Sequence, residues 1–121
     1  MRESPVKVAT RLTFGQAEGF VLWVNSTGVA TEADRTFRYG LCVGSSDCIG
    51  IAPGGLFLAV EVKGTGGKAT DEQLRFLELV YARGGVAVLI GPGDTFMDGK
   101  RLKLKPGIID GIRAGKRRYG F

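Results

Sequence analysis

The chain has 121 residues, of which 44% are hydrophobic and 24% charged, a size and composition that fit one globular domain with a single core. It contains no histidine, which excludes Ser-His-Asp and Cys-His catalysis and argues against a zinc site. No stretch approaches the ~20 apolar residues of a membrane span, and the first residues lead into no signal peptide. Two cysteines, Cys42 and Cys48, suit a reduced, cytoplasmic chain.

Positive charge is concentrated at the C-terminal end. Residues 1–99 hold nine Lys and Arg against eleven Asp and Glu, whereas residues 100–121 hold eight Lys and Arg against Asp110 alone. A basic segment with aromatic residues at its end is typical of proteins that neutralise DNA phosphates, which makes Lys116, Arg117 and Arg118 candidate DNA contacts. The alternative is a solvated tail that only aids solubility.

The first predicted elements are a helix and a strand. Ser4 or Glu3 before Pro5 is a typical helix start, and apolar residues at spacings of three predict a short amphipathic helix that ends near Gly15. Residues 20–25 are predicted to form the first strand. Residues 26–40 are predicted to be a loop with extended pieces, in which Arg35 and Arg38 either contact DNA or are ordinary surface residues.

Two further strands are predicted at residues 48–52 and 56–63, joined by a glycine-rich turn that folds them into an antiparallel hairpin. Alternation along the second strand places Glu61 and Lys63 on one face, and the turn places Asp47 opposite one of them. Two carboxylates that converge on one point are typical of a Mg²⁺ or Mn²⁺ site. The alternative is a solvated ion-pair surface of little energetic value.

The rest of the chain predicts a helix, a strand and a less regular end. Residues 64–68 lack the spacing of a nucleotide-binding phosphate loop and are interpreted as a turn beside the site, with Lys68 available to a phosphate. Thr70 and Gln73 form the sequence pattern of a capping box at the start of a helix. Residues 86–90 are predicted to be a buried strand parallel to the preceding one. Ile108, Ile109 and Ile112 predict a short helical face or a dimer contact.

Four ordered motifs carry a family resemblance. They are Gly44-Ser45-Ser46-Asp47-Cys48-Ile49-Gly50-Ile51, Phe57-Leu58-Ala59-Val60-Glu61-Val62-Lys63, Gly67-Lys68-Ala69-Thr70-Asp71-Glu72-Gln73 and Gly84-Gly85-Val86-Ala87. Together they closely resemble the VRR-NUC family of the PD-(D/E)xK nuclease superfamily, whose small stand-alone members are often phage-encoded. The resemblance implies an α/β, restriction-endonuclease-like core with a mixed central sheet flanked by helices. It implies a nuclease domain at residues 1–99, with the basic segment 100–121 packed on or extending the same domain.

The resemblance also assigns roles to individual residues. Asp47 is similar to the family's first metal-binding aspartate, Glu61 to its second carboxylate and Lys63 to its catalytic lysine, while superfamily geometry adds the main-chain carbonyl of Val62 as a metal ligand. Gln73 resembles the glutamine that lies near the active site.

Other assignments concern the flanks of the site. A first-helix glutamate often completes the site in this family; Glu3 is the best-placed match, and Glu18 is its rival. Ser45 and Ser46, beside Asp47, are candidate DNA contacts. Val24 departs from the family pattern, in which a basic residue often stands near this point.

The implied function is a DNA endonuclease that uses Mg²⁺ or Mn²⁺, with flap or branched DNA as candidate substrates. Two alternatives stay open. One is a homodimer that resolves four-way (Holliday) junctions, and the other is a non-catalytic module that binds DNA through its basic segment.

Overall fold

A five-stranded mixed sheet forms the centre of the molecule. The computed structural model describes residues 4–25, 28–32, 35–39 and 44–121, with side chains for 4–25 and 44–121. The elements in chain order are α1 (Pro5–Gln16), β1 (Val21–Val24), β2 (Gly28–Glu32), β3 (Arg35–Tyr39), β4 (Cys48–Ala52), β5 (Leu56–Val62), α2 (Asp71–Ala82), β6 (Val86–Ile90), a single 3-10 turn (Pro92–Asp94), β7 (Thr95–Asp98), β8 (Arg101–Leu104), α3 (Gly107–Arg113) and β9 (Arg118–Tyr119).

The central sheet has the order β1-β4-β5-β6-β9, antiparallel from β1 to β5 and parallel from β5 to β9. One face packs against α1 and α3, which contribute Phe14 and Ile108 to the larger part of the core. The other face packs against α2 through Phe76, Leu77 and Val80. The predicted fold class, an α/β core with a mixed sheet flanked by helices, is confirmed. Among the described residues no helix is both long and apolar enough to cross a membrane.

Local chemistry fixes both helix starts. The Ser4 hydroxyl accepts a hydrogen bond from the Lys7 amide at 3.2 Å, and Pro5 occupies the first turn of α1, where its missing N–H costs nothing. At α2, Thr70 accepts from the Gln73 amide, and the Gln73 side chain accepts from the Thr70 amide. The predicted capping box is therefore present.

The β4–β5 hairpin has the predicted register, with Cys48 opposite Val60 and Ala52 opposite Leu56. Its turn uses Gly54 and Gly55 at φ values of 84° and 78°, a conformation that other residues rarely adopt. The parallel pairing of β5 with β6 is also as predicted, because α2 provides the crossover connection.

The C-terminal segment folds against the core. Ile108, Ile109 and Ile112 form a buried face of α3, so the helical interpretation is confirmed and their interpretation as a dimer contact is wrong. Residues 28–39 contain the predicted extended pieces, which pair with each other as the β2–β3 hairpin.

Gly50 fixes the spacing between β1 and β4. A Cβ atom added to this residue would lie 1.8 Å from the carbonyl oxygen of Val21, a backbone atom that cannot move aside without separating the strands. We expect Gly50→Ala to lower the free energy of unfolding by about 3 kcal/mol. Gly64→Ala is the matched control in urea denaturation, since nothing lies within 4 Å of its added Cβ. Equal stability of the two variants would contradict the described packing.

Candidate active site

Two carboxylates meet at the end of the β4–β5 hairpin. Asp47 immediately precedes β4, and the hairpin register carries it opposite Glu61 of β5. The Asp47 amide donates to Glu61 Oε2 at 3.0 Å, and the Val62 amide donates to Asp47 Oδ2 at 3.2 Å. Each carboxylate is therefore held by the main chain of the other strand, and the convergence expected from the hairpin is present.

Glu61 is buried, with only 1% of its surface exposed, and it lies on the sheet face that α2 covers. Its Oε1 accepts from Gln73 Nε2 at 2.9 Å and pairs with Lys63 Nζ at 3.2 Å. Burial, followed by repulsion from Asp47, raises the pKa of Glu61 from 4.5 to about 7, against the opposing effect of Lys63. A buried carboxylate beside a second one favours a bound cation.

The raised pKa of Glu61 predicts a pH-dependent stability. Because the folded pKa lies above the unfolded value of 4.5, the contribution of Glu61 is fully present below pH 4.5 and is lost as the pH rises through about 7. With EDTA present, we expect the free energy of unfolding of the wild type to fall by about 3 kcal/mol relative to Glu61→Gln between pH 4 and pH 8. Urea denaturation at several pH values measures this, and parallel curves for the two proteins would contradict it.

Gln73 makes both of the expected contacts, the capping box that the sequence pattern predicts and a place beside the carboxylates that the family resemblance implies. Its Oε1 accepts from the Thr70 amide in the capping box, while its Nε2 donates to Glu61. The first turn of α2 is thereby fixed beside the carboxylate, where the positive end of the helix dipole stabilises negative charge.

Sequence reasoning missed two residues at this site, Lys7 and Asn25. Lys7 of α1 lies with its Nζ 3.9 Å from Asp47 Oδ1. The Asn25 amide donates to the Asp47 carbonyl at 2.8 Å, and its side chain donates to Ser45 Oγ and to the Ser46 carbonyl. The only signal for Asn25 was its place at the end of β1, next to the strand that Asp47 precedes; no local pattern marks Lys7.

Several predicted DNA contacts have other surroundings. Ser46 is buried, and its hydroxyl donates to the Cys48 carbonyl at 2.7 Å, so its predicted side-chain contact with DNA is wrong. Ser45 is half-buried, and its hydroxyl accepts a hydrogen bond from the Asn25 side chain, whereas Lys68 is exposed in the turn after β5. Arg35 and Arg38 lie in β3, and their side chains are outside the described part of the chain.

The C-terminal cations do not reach the carboxylates. Arg117 donates to the carbonyls of Tyr81 and Gly85, near the end of α2 remote from Gln73. Arg118 stacks over Phe121 and lies 3.9 Å from Glu78, and Lys116 lies over the ring of Tyr119. All three belong to the β9 edge, two strands away from Glu61, so they lie apart from the carboxylates, and their contact with DNA stays a prediction.

The predicted third carboxylate has two outcomes. Glu3 lies outside the described residues. Glu18 follows the C-terminal end of α1, whereas Lys7 in the first turn is the residue that meets Asp47. Gln16 lies nine positions after Lys7 in the helix, a rise of roughly 13 Å, so Glu18 does not complete the site.

The family model of the VRR-NUC domain matches residues 15–91, well over half of the chain. The chain belongs to the VRR-NUC family. A comparison with curated proteins gave no match. The part matched by the VRR-NUC model contains Asp47, Glu61, Lys63 and Gln73, and it ends before the β7–β8 hairpin. Membership in the VRR-NUC family implies a nuclease-type function in DNA processing, with DNA as the substrate.

Proposed function

We propose that this VRR-NUC protein is a metal-dependent endonuclease that hydrolyses phosphodiester bonds in DNA through the Asp47–Glu61 site. The observation that carries the proposal is the pairing of these two carboxylates, each hydrogen-bonded to the other strand's main chain and flanked by Lys63. Two acids and a lysine at one sheet end suit the hydrolysis of a charged phosphodiester. A purely structural site would gain nothing from two adjacent carboxylates, since their repulsion costs stability.

The residues present fit Mg²⁺ or Mn²⁺. Among the described residues no three His, Cys, Asp or Glu side chains gather in one group, so Asp47 and Glu61 are the carboxylate ligands that the structure offers. The Val62 amide donates to the Asp47 carboxylate. The N–H and the C=O of one residue in a strand point towards the same neighbouring strand, so the Val62 carbonyl faces the space beside Asp47 as well. These hard oxygen donors, completed by water, match both ions.

When bound, the cation would polarise the scissile phosphate and lower the pKa of a water molecule. The protein's own groups have separate tasks. Lys63, on the strand that carries Glu61, stabilises negative charge that develops on the phosphate. Gln73 fixes the orientation of the Glu61 carboxylate, and Asn25 fixes the main chain of Asp47. Lys7 balances the charge of Asp47.

A dimeric junction resolvase is the second candidate, and an exposed apolar surface favours it. Val21, Ile51 and Phe57 are aligned across β1, β4 and β5, with Trp23 next to them, and all four are exposed on the sheet face that carries Glu61. Among the described residues, β1 is also an edge strand of the sheet. An apolar surface of this kind beside an edge strand is typical of an interface, and a second copy bound there would pair two sites.

The proposal is tested by cleavage of labelled linear, flap and four-way-junction DNA in EDTA, Mg²⁺ or Mn²⁺. We expect cutting with either metal, none in EDTA, and faster cutting of the flap or the junction than of linear duplex. Paired cuts on the junction by a protein that sediments as a dimer would select the resolvase. Binding without cutting of any substrate would contradict the endonuclease and favour the non-catalytic module.

A further inference from the structure

A groove runs between α1 and the β7–β8 hairpin, largely outside the part of the chain that the family model matches. The hairpin register places Phe96 opposite Lys103 and Asp98 opposite Arg101, so these four side chains share one face. The groove is lined on its two sides by Pro5, Val8 and Leu12 of α1 and by Phe96, Arg101 and Lys103 of the hairpin. Leu12 and Phe96 are both exposed there, so the groove has apolar walls open to solvent.

The hairpin is strongly basic. Lys100, Arg101, Lys103 and Lys105 are all exposed, against the single acid Asp98 within the same segment. Lys103 pairs with Asp98 at 2.6 Å, which lowers the pKa of Asp98 and leaves Lys100 and Arg101 of the hairpin, with the adjacent Lys105, for another anion. Asp110 of α3 also lines the groove, so the positive charge lies on the hairpin side. The basic C-terminal charge of the chain is thus presented chiefly here, because Arg117 and Arg118 are engaged at β9.

Pro5 at the groove and Lys7 at the active site stand on one turn of α1. Pro5 lines the groove, whereas Lys7 contacts Asp47. Because residues two positions apart point about 200° apart around a helix, the groove and Lys7 lie on different sides of α1, and the groove is a surface separate from the carboxylates. A basic wall that follows a phosphate backbone, combined with an exposed aromatic ring, is the arrangement by which proteins hold single-stranded nucleic acid.

We propose that this groove binds a single-stranded segment of the DNA substrate, with phosphates on Arg101 of the groove and on its neighbour Lys100 and a base against Phe96. The inference rests on the proposed function, which supplies DNA as the substrate. Binding in the groove makes the protein selective for DNA with an unpaired segment. Duplex is the poorer ligand of the groove, because paired bases are stacked within the helix and cannot lie on Phe96.

The test measures binding of a fluorescent oligo-dT strand and of a matched duplex in EDTA over a range of salt concentrations, so that hydrolysis does not intervene. For the single strand, we expect Lys100→Gln/Arg101→Gln to weaken binding about tenfold and to reduce the salt slope by about 1.4. Phe96→Ala is expected to weaken it at least fivefold with an unchanged slope. The controls are Arg75→Gln/Arg83→Gln, which removes equal charge from exposed positions elsewhere, and Phe57→Ala, another exposed phenylalanine.

Variants that bind the single strand like the wild type, or controls that lose as much, would overturn the groove assignment. Equal losses for the single strand and the duplex would overturn its selectivity. Thermal denaturation of each variant verifies that it folds. If Phe96→Ala lowers the melting temperature, the Lys100→Gln/Arg101→Gln variant, which changes two exposed residues, still tests the proposal. Failure of the proposed function is distinguishable, because it appears as a wild type that cuts no DNA with Mg²⁺ or Mn²⁺, whatever the groove variants bind.

Discussion

Asp47→Asn is expected to reduce metal-dependent DNA cleavage by a factor on the order of 10³ or more. Loss of a residue that merely supports a metal ligand typically costs 10–100-fold, so loss of a charged ligand should cost more. Asparagine keeps the size of the side chain and an oxygen that can accept from the Val62 amide. It removes the negative charge that repels Glu61, so the variant should fold and retain its stability in EDTA.

Single-turnover cleavage of a labelled substrate in Mn²⁺ measures the effect. Asp71→Asn is the matched control, since Asp71 is exposed in the first turn of α2 and carries the same carboxylate. DNA affinity in EDTA should be unchanged or slightly higher in Asp47→Asn, because a negative charge near the phosphate is lost. A variant that cleaves within tenfold of the wild type would show that Asp47 does not have the proposed role.

Lys63→Met is expected to lower the cleavage rate by about 10²- to 10³-fold, while DNA affinity changes by less than about threefold. The reason is that the Lys63 ammonium lies 3.2 Å from Glu61 Oε1 and is half-buried, so in the proposed mechanism it acts on the reacting phosphate more than on DNA binding as a whole. Methionine keeps the length and the apolar stem of the side chain.

Lys68→Met provides the contrast to Lys63→Met. Lys68 is exposed in the turn that follows β5, so its loss should weaken DNA binding and leave the rate at saturating protein nearly unchanged. Rates against protein concentration separate the two effects. The assigned role of Lys63 fails if the two variants exchange these behaviours, or if Lys63→Met cleaves as fast as the wild type.

The sequence predicts the centre of this site well because its determinants are local. One short hairpin with a glycine turn sets the register that brings Asp47 to Glu61, and alternation along β5 puts Lys63 beside Glu61. The capping box at Thr70 depends on four consecutive residues, so it can be predicted from the sequence as well. That Gln73 also reaches Glu61 came from the family resemblance, since no local pattern connects α2 to β5.

The remainder depends on contacts between distant parts of the chain. Lys7 meets Asp47 across forty positions of sequence, and Arg117 meets the Tyr81 carbonyl across thirty-six. The packing of α1 on the sheet and the pairing of β9 with β6 decide these contacts, and no local sequence pattern indicates either of them. Ser46 is a related case, because its hydroxyl turns inward to the Cys48 carbonyl, and its place in the sequence beside Asp47 does not indicate this.

The most direct test of the proposed metal centre is anomalous diffraction from crystals of the protein grown with Mn²⁺. The account predicts a manganese peak about 2 Å from carboxylate oxygens of both Asp47 and Glu61, near the Val62 carbonyl, and its loss in Asp47→Asn. Manganese bound elsewhere in the crystal, with Lys7 and Lys63 still paired to the two carboxylates, would contradict the assignment of this sheet end as the metal-dependent site.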